Sequence, residues 1–271
     1  MTAVRKKADE AAARAIAQRS SRVFRTFGWI FERTFRKGFH AARIVSTRAP
    51  VLPWGKRVVI YTNHASWWDG VTYVLLAKHL YPFHRVYTPV DADVFGKYGF
   101  IAKIGAFAVT QNSRRGALEF ISGSKAVFSL EDGLLVVAAQ GRFADPRERP
   151  LACGAGIAHL PDHVSDIVFI PLAIEYPFWL EKQPEMLLKF GQPVDGNELA
   201  ALPVRDRLAM LEGALAAQMD QLATLSIARD AQAFDIWLQG SMGVNPVYDA
   251  WRRLVSKVRG QDFNAGHGTS R

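Results

Sequence analysis

The residues best suited to catalysis are His64 and Asp69, within the stretch Asn63-His64-Ala65-Ser66-Trp67-Trp68-Asp69-Gly70. Imidazole is the side-chain group best matched to proton transfer near neutral pH, and a carboxylate partner fixes its tautomer and stabilises the imidazolium that forms. Such a pair can act as a general base on a hydroxyl group. The alternative is structural: Ser66 caps a helix, and Asp69 favours the positive helix end and accepts the amide of Ser66. Both interpretations can hold together.

The pair lies where a predicted strand meets a predicted helix. Residues 57–62, Arg-Val-Val-Ile-Tyr-Thr, are β-branched and apolar enough for a buried strand, whereas Val71, Val74 and Leu75 recur at helical spacing. We therefore expect the histidine in the connecting loop and the aspartate in the first helical turn. Four intervening residues let the chain bring the carboxylate back toward the imidazole.

Asn63-His64, followed after four residues by Asp69, resembles the first signature block of the lysophospholipid acyltransferases, the family of 1-acylglycerol-3-phosphate acyltransferases. Three further stretches resemble the second, third and fourth blocks in the family's order. They are Gly105-Ala106-Phe107-Ala108-Val109, Val137-Ala138-Ala139-Gln140-Gly141-Arg142 and Ile170-Pro171-Leu172-Ala173-Ile174. The similarity covers about residues 55–195, and only the first block is specific by itself.

The resemblance implies a mechanism that agrees with the residue chemistry. His64 would remove a proton from an acceptor hydroxyl, Asp69 would orient it, and the alkoxide would attack the thioester of acyl-coenzyme A or acyl carrier protein. No acyl-enzyme, metal or bound redox cofactor is implied. The sequence agrees, because it has no Gly-x-Ser-x-Gly elbow and no histidine stands beside its single thiol, Cys153.

The sequence departs from the family where the acceptor's phosphate is held. Gln111 stands at the arginine position of the second block, Gln140 at the glutamate position of the third, and Arg142 at its threonine position. Glutamine cannot offer a phosphate the charged fork of an arginine. A lysophospholipid, a lysophosphatidate and a lipid alcohol or glycolipid without phosphate all stay open as acceptors. We predict these substrate-binding residues: Asn63, Gln111, Arg114, Gln140, Gly141 and Arg142.

Among these, Arg142 is the best candidate for an anionic group. Four arginines displaced by a few positions could replace the missing phosphate contacts or could form a solvated rim, the usual place of such residues. They are Arg114, Arg115, Arg147 and Arg149.

Length and composition favour one α/β domain. A chain of 271 residues, 49% hydrophobic and 22% charged, can bury one substantial core. We predict a mixed, mostly parallel sheet flanked by helices, like that of glycerolipid acyltransferases. Further strands are expected near 84–88, 105–109, 134–139, 166–174 and 187–191, and helices near 67–80, 115–130 and 208–225. Pro171, which has no amide hydrogen, is expected at a sheet edge or bulge.

The chain divides by charge into three predicted parts. Residues 1–50 hold 12 of the 34 Lys and Arg but only 3 of the 25 Asp and Glu, so the whole net charge of +9 lies there. We predict a basic amphipathic helical segment over 1–50, the acyltransferase domain over 51–258 and a disordered tail over 259–271. No apolar run is long enough for a spanning helix, and no signal-peptide core is evident.

An aromatic row runs through the basic segment: Phe27, Phe31, Phe35 and Phe39 recur every four residues among arginines. Such a stripe is typical of a helix lying on an anionic membrane, and it predicts peripheral attachment to the cytoplasmic face. The alternative is that the stripe packs on the domain and the arginines are its wet face. Nucleic acid is disfavoured as a partner, because the charges beyond residue 50 balance. The sequence leaves the oligomeric state open.

Two other functions are compatible with these patterns. The altered second and third blocks permit a catalytically inactive, membrane-bound interaction protein. A histidine that activates water instead of an acceptor hydroxyl would make an acyl-ester or thioester hydrolase.

Overall fold

A computed structural model describes residues 3–45 and 49–241 of the chain. Within them, nine strands form one mixed sheet in the order β4-β3-β5-β2-β6-β7-β1-β9, with β8 beside β6. The strands are β1 (Ala41–Val45), β2 (Arg57–Thr62), β3 (Arg85–Asp91), β4 (Ala106–Val109), β5 (Gly133–Ala138), β6 (Ile167–Glu175), β7 (Glu185–Phe190), β8 (Val194–Asp195) and β9 (Phe234–Gln239). The tail predicted over 259–271 and the predicted domain end at 258 lie outside the described residues.

The predicted α/β class is confirmed, since the sheet is mostly parallel and flanked by helices. The helices are α1 (Ala3–Ala17), α2 (Ser21–Gly38), α3 (Trp68–Leu75), α4 (Ala92–Lys97), α5 (Arg114–Phe128), α6 (Gly156–His159), α7 (Gly196–Ala200) and α8 (Val204–Ala228). Residues Leu76–Leu80 continue α3 as a π-helical turn, and short 3₁₀ turns cover Gly99–Ile104, Leu160–Asp162 and Ala231–Ala233.

Two hydrophobic clusters cover the two faces of the sheet. One joins alternate residues of β2, β5 and β6 to α1, α5 and α8, and the other joins the remaining alternate residues to α2 and α3. Because β2 and β5 are covered on both faces, β2 is apolar without a break from Val58 to Tyr61 and β5 from Leu134 to Ala138. The long helix predicted near 208–225 is confirmed as a core helix, since Leu211, Leu215 and Leu222 are fully buried.

Pro171 does not lie at a sheet edge, because β6 is an inner strand with β2 as its parallel neighbour. On its other side, β8 pairs with Val168 and Phe169, and β7 pairs from Leu172 onward. The proline falls between these two antiparallel partners. Its carbonyl accepts the Gly191 amide over 2.8 Å, so this position uses the acceptor that proline keeps and not the donor that it lacks.

The segment before residue 50 is part of the same sheet. Its helical portion ends at Gly38, and β1 follows, between β7 and β9. The aromatic row of α2 faces the domain: Phe35 and Phe39 are fully buried, and the Phe27 ring stacks on Phe100 with centroids 4.6 Å apart. Of the two interpretations of the row, packing on the domain is the one observed. Across the described residues, no helix combines the length and apolarity needed to cross a bilayer.

Candidate active site

The candidate site lies at one edge of the sheet, where five parallel strands end. β2, β3, β4, β5 and β6 run in the same direction, so their carboxyl ends meet at this edge. The first sequence block follows β2, the second coincides with β4, and the third runs from the end of β5 into the loop after it. A rigid sheet thereby holds polar loop residues together, as in many α/β proteins.

His64 and Asp69 form a hydrogen-bonded pair beyond the end of β2. The histidine Nδ1 lies 2.7 Å from Asp69 Oδ2. The Asp69 side chain is fully buried, whereas that of His64 is 24% exposed. Because the carboxylate accepts, Nδ1 carries the proton and Nε2 keeps its lone pair. Nε2 has no hydrogen-bond partner in the described part of the chain, so it is available to a substrate proton.

The Asp69 carboxylate accepts two further hydrogen bonds. The Ser66 amide donates to Oδ2 over 3.1 Å, and the Tyr176 hydroxyl donates to Oδ1 over 2.7 Å. Ser66 Oγ accepts the amide of Trp68 over 3.3 Å, but the N-cap position of α3 is Trp67, so Ser66 is not the capping residue that was predicted. The predicted hydrogen bond between the Ser66 amide and Asp69 is present, and it coexists with the dyad. Three donors hold the carboxylate in one orientation toward the imidazole.

The loop after β5 forms hydrogen bonds with both the amide and the carbonyl of His64. The His64 amide donates to Gln140 Oε1 over 2.9 Å, and its carbonyl accepts the Ala144 amide over 2.9 Å. Between them, Gly141 has a positive φ of 63°, a conformation that glycine adopts without strain. Gln140 thus has a role that needs no phosphate, because either a glutamate or a glutamine supplies the accepting oxygen.

The side chain of Asn63 forms two hydrogen bonds with the backbone of the neighbouring strand, β6. Its Nδ2 donates to the Ile174 carbonyl over 2.9 Å, and its Oδ1 accepts the Ile174 amide over 2.8 Å. The side chain is buried, and both ends of its amide are used. In this structure Asn63 positions the next residue, His64, and does not offer its side chain to a substrate.

One aromatic ring lies against the histidine, and two tryptophans follow it in the chain. The Phe143 ring centroid lies 4.3 Å from that of His64, and Phe143 is 59% exposed. Trp67 is also largely exposed, whereas Trp68 packs edge-on against the buried Phe39. An exposed aromatic ring, that of Phe143, therefore lies directly beside the imidazole.

The remaining predicted contacts lie farther out. Arg142 is exposed and ion-paired with Glu148 on the same loop. Gln111 and Arg114 are exposed beyond the end of β4. β3 and β5 stand between β4 and β2, so β4 is roughly 14 Å from β2 by strand spacing. Gln140 contacts the His64 backbone and Asn63 anchors the residue before it, whereas among the described residues Gln111 and Arg114 form no hydrogen bond or ion pair with the dyad.

The other displaced arginines are at the surface with acidic partners. Arg115 pairs with Glu119, and Arg147 with Asp145. Arg149 pairs with Asp220 of α8. Their positions agree with a solvated rim. Among the described residues, no group of three or more His, Cys, Asp or Glu side chains could hold a metal ion.

Sequence reasoning missed Tyr176 and Phe143. Tyr176 directly follows β6, and Phe143 follows the third block, so both lie at the carboxyl ends of parallel strands. Their position in the sequence could have identified them, because polar and aromatic residues at the carboxyl ends of parallel strands converge on one edge of the sheet. The contact of Tyr176 with Asp69 spans 107 residues and depends on strand order.

In comparisons with known proteins, no protein-family model matches this sequence. No curated protein matches it either.

Proposed function

We propose that this protein is an acyltransferase that moves a fatty acyl group from acyl-coenzyme A or acyl carrier protein to a hydroxyl of a lipid acceptor. The observation that carries the proposal is the His64–Asp69 pair, with Nδ1 bound to a buried carboxylate and Nε2 open to the surface. The ordered resemblance to the lysophospholipid acyltransferases supports the reaction class. The acceptor is a lysophospholipid, a lysophosphatidate or a lipid alcohol or glycolipid without phosphate.

The geometry supports a direct transfer with His64 as general base. Nε2 takes the proton of the acceptor hydroxyl while Asp69 stabilises the imidazolium. The acceptor oxygen bonds to the thioester carbonyl carbon, the carbon–sulfur bond breaks, and the thiolate leaves. The imidazolium then returns its proton to the thiolate. No group of the protein is acylated, and the acyl thioester is a co-substrate.

We also propose that the protein works at a membrane surface, through the outer face of α2. With the phenylalanine row turned inward, the exposed face carries Arg22, Arg25, Trp29, Ile30, Arg33, Arg36 and Lys37. A groove of about 350 Å³ on this face is lined by Trp29, Glu32, Arg33, Arg36 and Lys37. Cations around a tryptophan suit the anionic headgroups of a cytoplasmic leaflet.

The activity is tested by thiol release from acyl-coenzyme A with the purified protein and a panel of acceptors in detergent. The panel contains a lysophospholipid, lysophosphatidate, a long-chain alcohol and a glycolipid. We expect acceptor-dependent release, lowered roughly 100-fold or more in His64→Ala, because a positioned base contributes about that factor. His159→Ala is the matched control. His159 is an exposed histidine outside the site that also lies near an aspartate, with its Nδ1 3.8 Å from Asp162 Oδ2.

Three results would contradict the proposal. Acceptor-dependent release that persists in His64→Ala would remove the dyad from the reaction. Release that needs no acceptor would indicate a hydrolase. Absence of turnover with every acceptor and both kinds of donor would favour an inactive membrane-bound protein.

A further inference from the structure

Tyr176 connects the dyad to a second hydroxyl group beneath it. Its hydroxyl lies 2.7 Å from Asp69 Oδ1 and 2.8 Å from Thr72 Oγ1. The residue is only partly covered, but its hydroxyl end points inward, toward α3. Burial, and then the negative charge of Asp69, raise the pKa of Tyr176 well above its ordinary value. The hydroxyl therefore keeps its proton and donates to the carboxylate.

We infer that Tyr176 is a positioning residue that sets the basicity of His64 by sharing the charge of Asp69. This inference rests on the proposed role of His64 as a base. The hydrogen bond from Tyr176 occupies Oδ1, which leaves Oδ2 directed at the imidazole. It also spreads the negative charge of the carboxylate over both oxygens, which weakens the attraction between Asp69 and a protonated His64.

The neighbouring ionisable groups have partners of their own. They are Tyr73 on α3, Arg142 and Glu148 in the loop after β5, Glu185 on β7, His40 just before β1 and Arg43 within β1. Arg142 is paired with Glu148, and Glu185 with both His40 and Arg43. Burial, and then the charge of Asp69, also raise the pKa of Tyr73, so this hydroxyl stays neutral.

Removing the Tyr176 hydroxyl has a defined direction. In Tyr176→Phe, the ionised Asp69 carboxylate accepts one hydrogen bond fewer, so its charge is less shared and it attracts a protonated His64 more strongly. The protonated form of the histidine then persists to higher pH. If Asp69 itself takes up a proton more readily in the variant, His64 loses its charged partner at any pH low enough for that protonation. Both effects move the acid limb of activity toward higher pH.

The test is a titration of the His64 ring by NMR in the full chain, with His64→Ala used to assign the signal. We expect the His64 midpoint in Tyr176→Phe to lie about one pH unit above that of the wild type. The acid limb of kcat/KM should move with it, and kcat should fall roughly tenfold, the factor expected when a charged hydrogen bond is lost. The NMR measurement needs no substrate, so it remains informative if acyl transfer itself is not found.

Tyr73→Phe is the matched control. Tyr73 is a buried tyrosine that feels the charge of Asp69, but its hydroxyl bonds Thr62 Oγ1 over 2.6 Å and forms no hydrogen bond with the carboxylate. It should lower stability but leave the His64 midpoint unchanged. An equal midpoint in Tyr176→Phe and the wild type, with both folded, would overturn the inference. If Tyr176→Phe does not fold, Thr72→Val removes the partner of the Tyr176 hydroxyl, and a smaller upward shift is expected; no shift there would be equally decisive.

Discussion

Around the candidate base, two polar side chains form hydrogen bonds with the backbone. Both ends of the Asn63 side-chain amide bond the backbone of Ile174, and Gln140 Oε1 accepts the amide of His64. Two of the residues predicted to hold substrate therefore hold the histidine instead. Preorganisation of this kind fixes the base before a substrate arrives.

Asn63→Ala should destabilise the protein by about 2–4 kcal/mol, because it leaves the buried amide and carbonyl of Ile174 without partners. It should also lower kcat, since the loop that carries His64 loses its anchor to β6. Urea unfolding measured beside the acyl-transfer assay checks both effects. Asn197→Ala is the control, because Asn197 is exposed, and its cost should stay within about 0.5 kcal/mol. Unchanged stability in Asn63→Ala would contradict the role given to Asn63.

At the scale of elements, α2 and α3 are joined by apolar packing and by one carboxylate. Glu32 of α2 lies 2.6 Å from Lys78 Nζ and 3.0 Å from His79 Nε2, both in the π-helical turn that continues α3. It also bonds Arg36 within its own helix. Burial acts to raise the pKa of Glu32, but the hydrogen bonds from Lys78, Arg36 and His79 outweigh burial and lower it to about 2.

The lowered pKa of Glu32 predicts a pH-dependent stability. The ionised carboxylate stabilises the fold above its ordinary value of 4.5, and this contribution is lost as pH falls toward about 2. Glu32→Gln should therefore cost about 1 kcal/mol at pH 7, a modest value for a partly solvated group, and progressively less below pH 4.5. Urea unfolding at pH 7, 4.5 and 3 measures this difference. Glu10→Gln, at an exposed site on α1, is the control, and its effect on the free energy of unfolding should not vary with pH in this way. If the destabilisation by Glu32→Gln were the same at all three pH values, the role given to the ion pairs of Glu32 would be wrong.

For the whole molecule, the excess of positive charge lies mostly on two helices that cover opposite faces of the sheet. α1 packs on the face that α5 and α8 also cover, and α2 packs on the face that α3 covers. On α2 the single acidic residue, Glu32, is turned toward α3, whereas α8 carries a mixture of both signs. The outer face of α2 is therefore the surface that we propose for an anionic membrane.

We expect the protein to sediment with phosphatidylserine vesicles and not with phosphatidylcholine vesicles, and binding should weaken as salt is raised. Each arginine near the membrane contributes about 1 kcal/mol, so Arg25→Ala with Arg33→Ala should lower binding by roughly 30-fold. Arg205→Ala with Arg229→Ala, at the two ends of α8, is the charge-matched control. Equal loss in both pairs would mean that net charge, and not the face of α2, drives binding.

Local patterns were enough to predict the strands and helices that carry the site, and also the pairing of His64 with Asp69. β2 is apolar from Val58 to Tyr61 because it is buried on both faces, and His64 and Asp69 are close enough along the chain for a local turn to join them. The inward side of α2 could not be predicted in this way, because a row of phenylalanines has the same period against a membrane and against a core, and only the packing of the folded chain distinguishes the two. The tertiary structure also decided the partner of Asp69, since Tyr176 reaches it only through the adjacency of β6 and β2. Contacts between distant positions depend on strand order, which local periodicity does not encode.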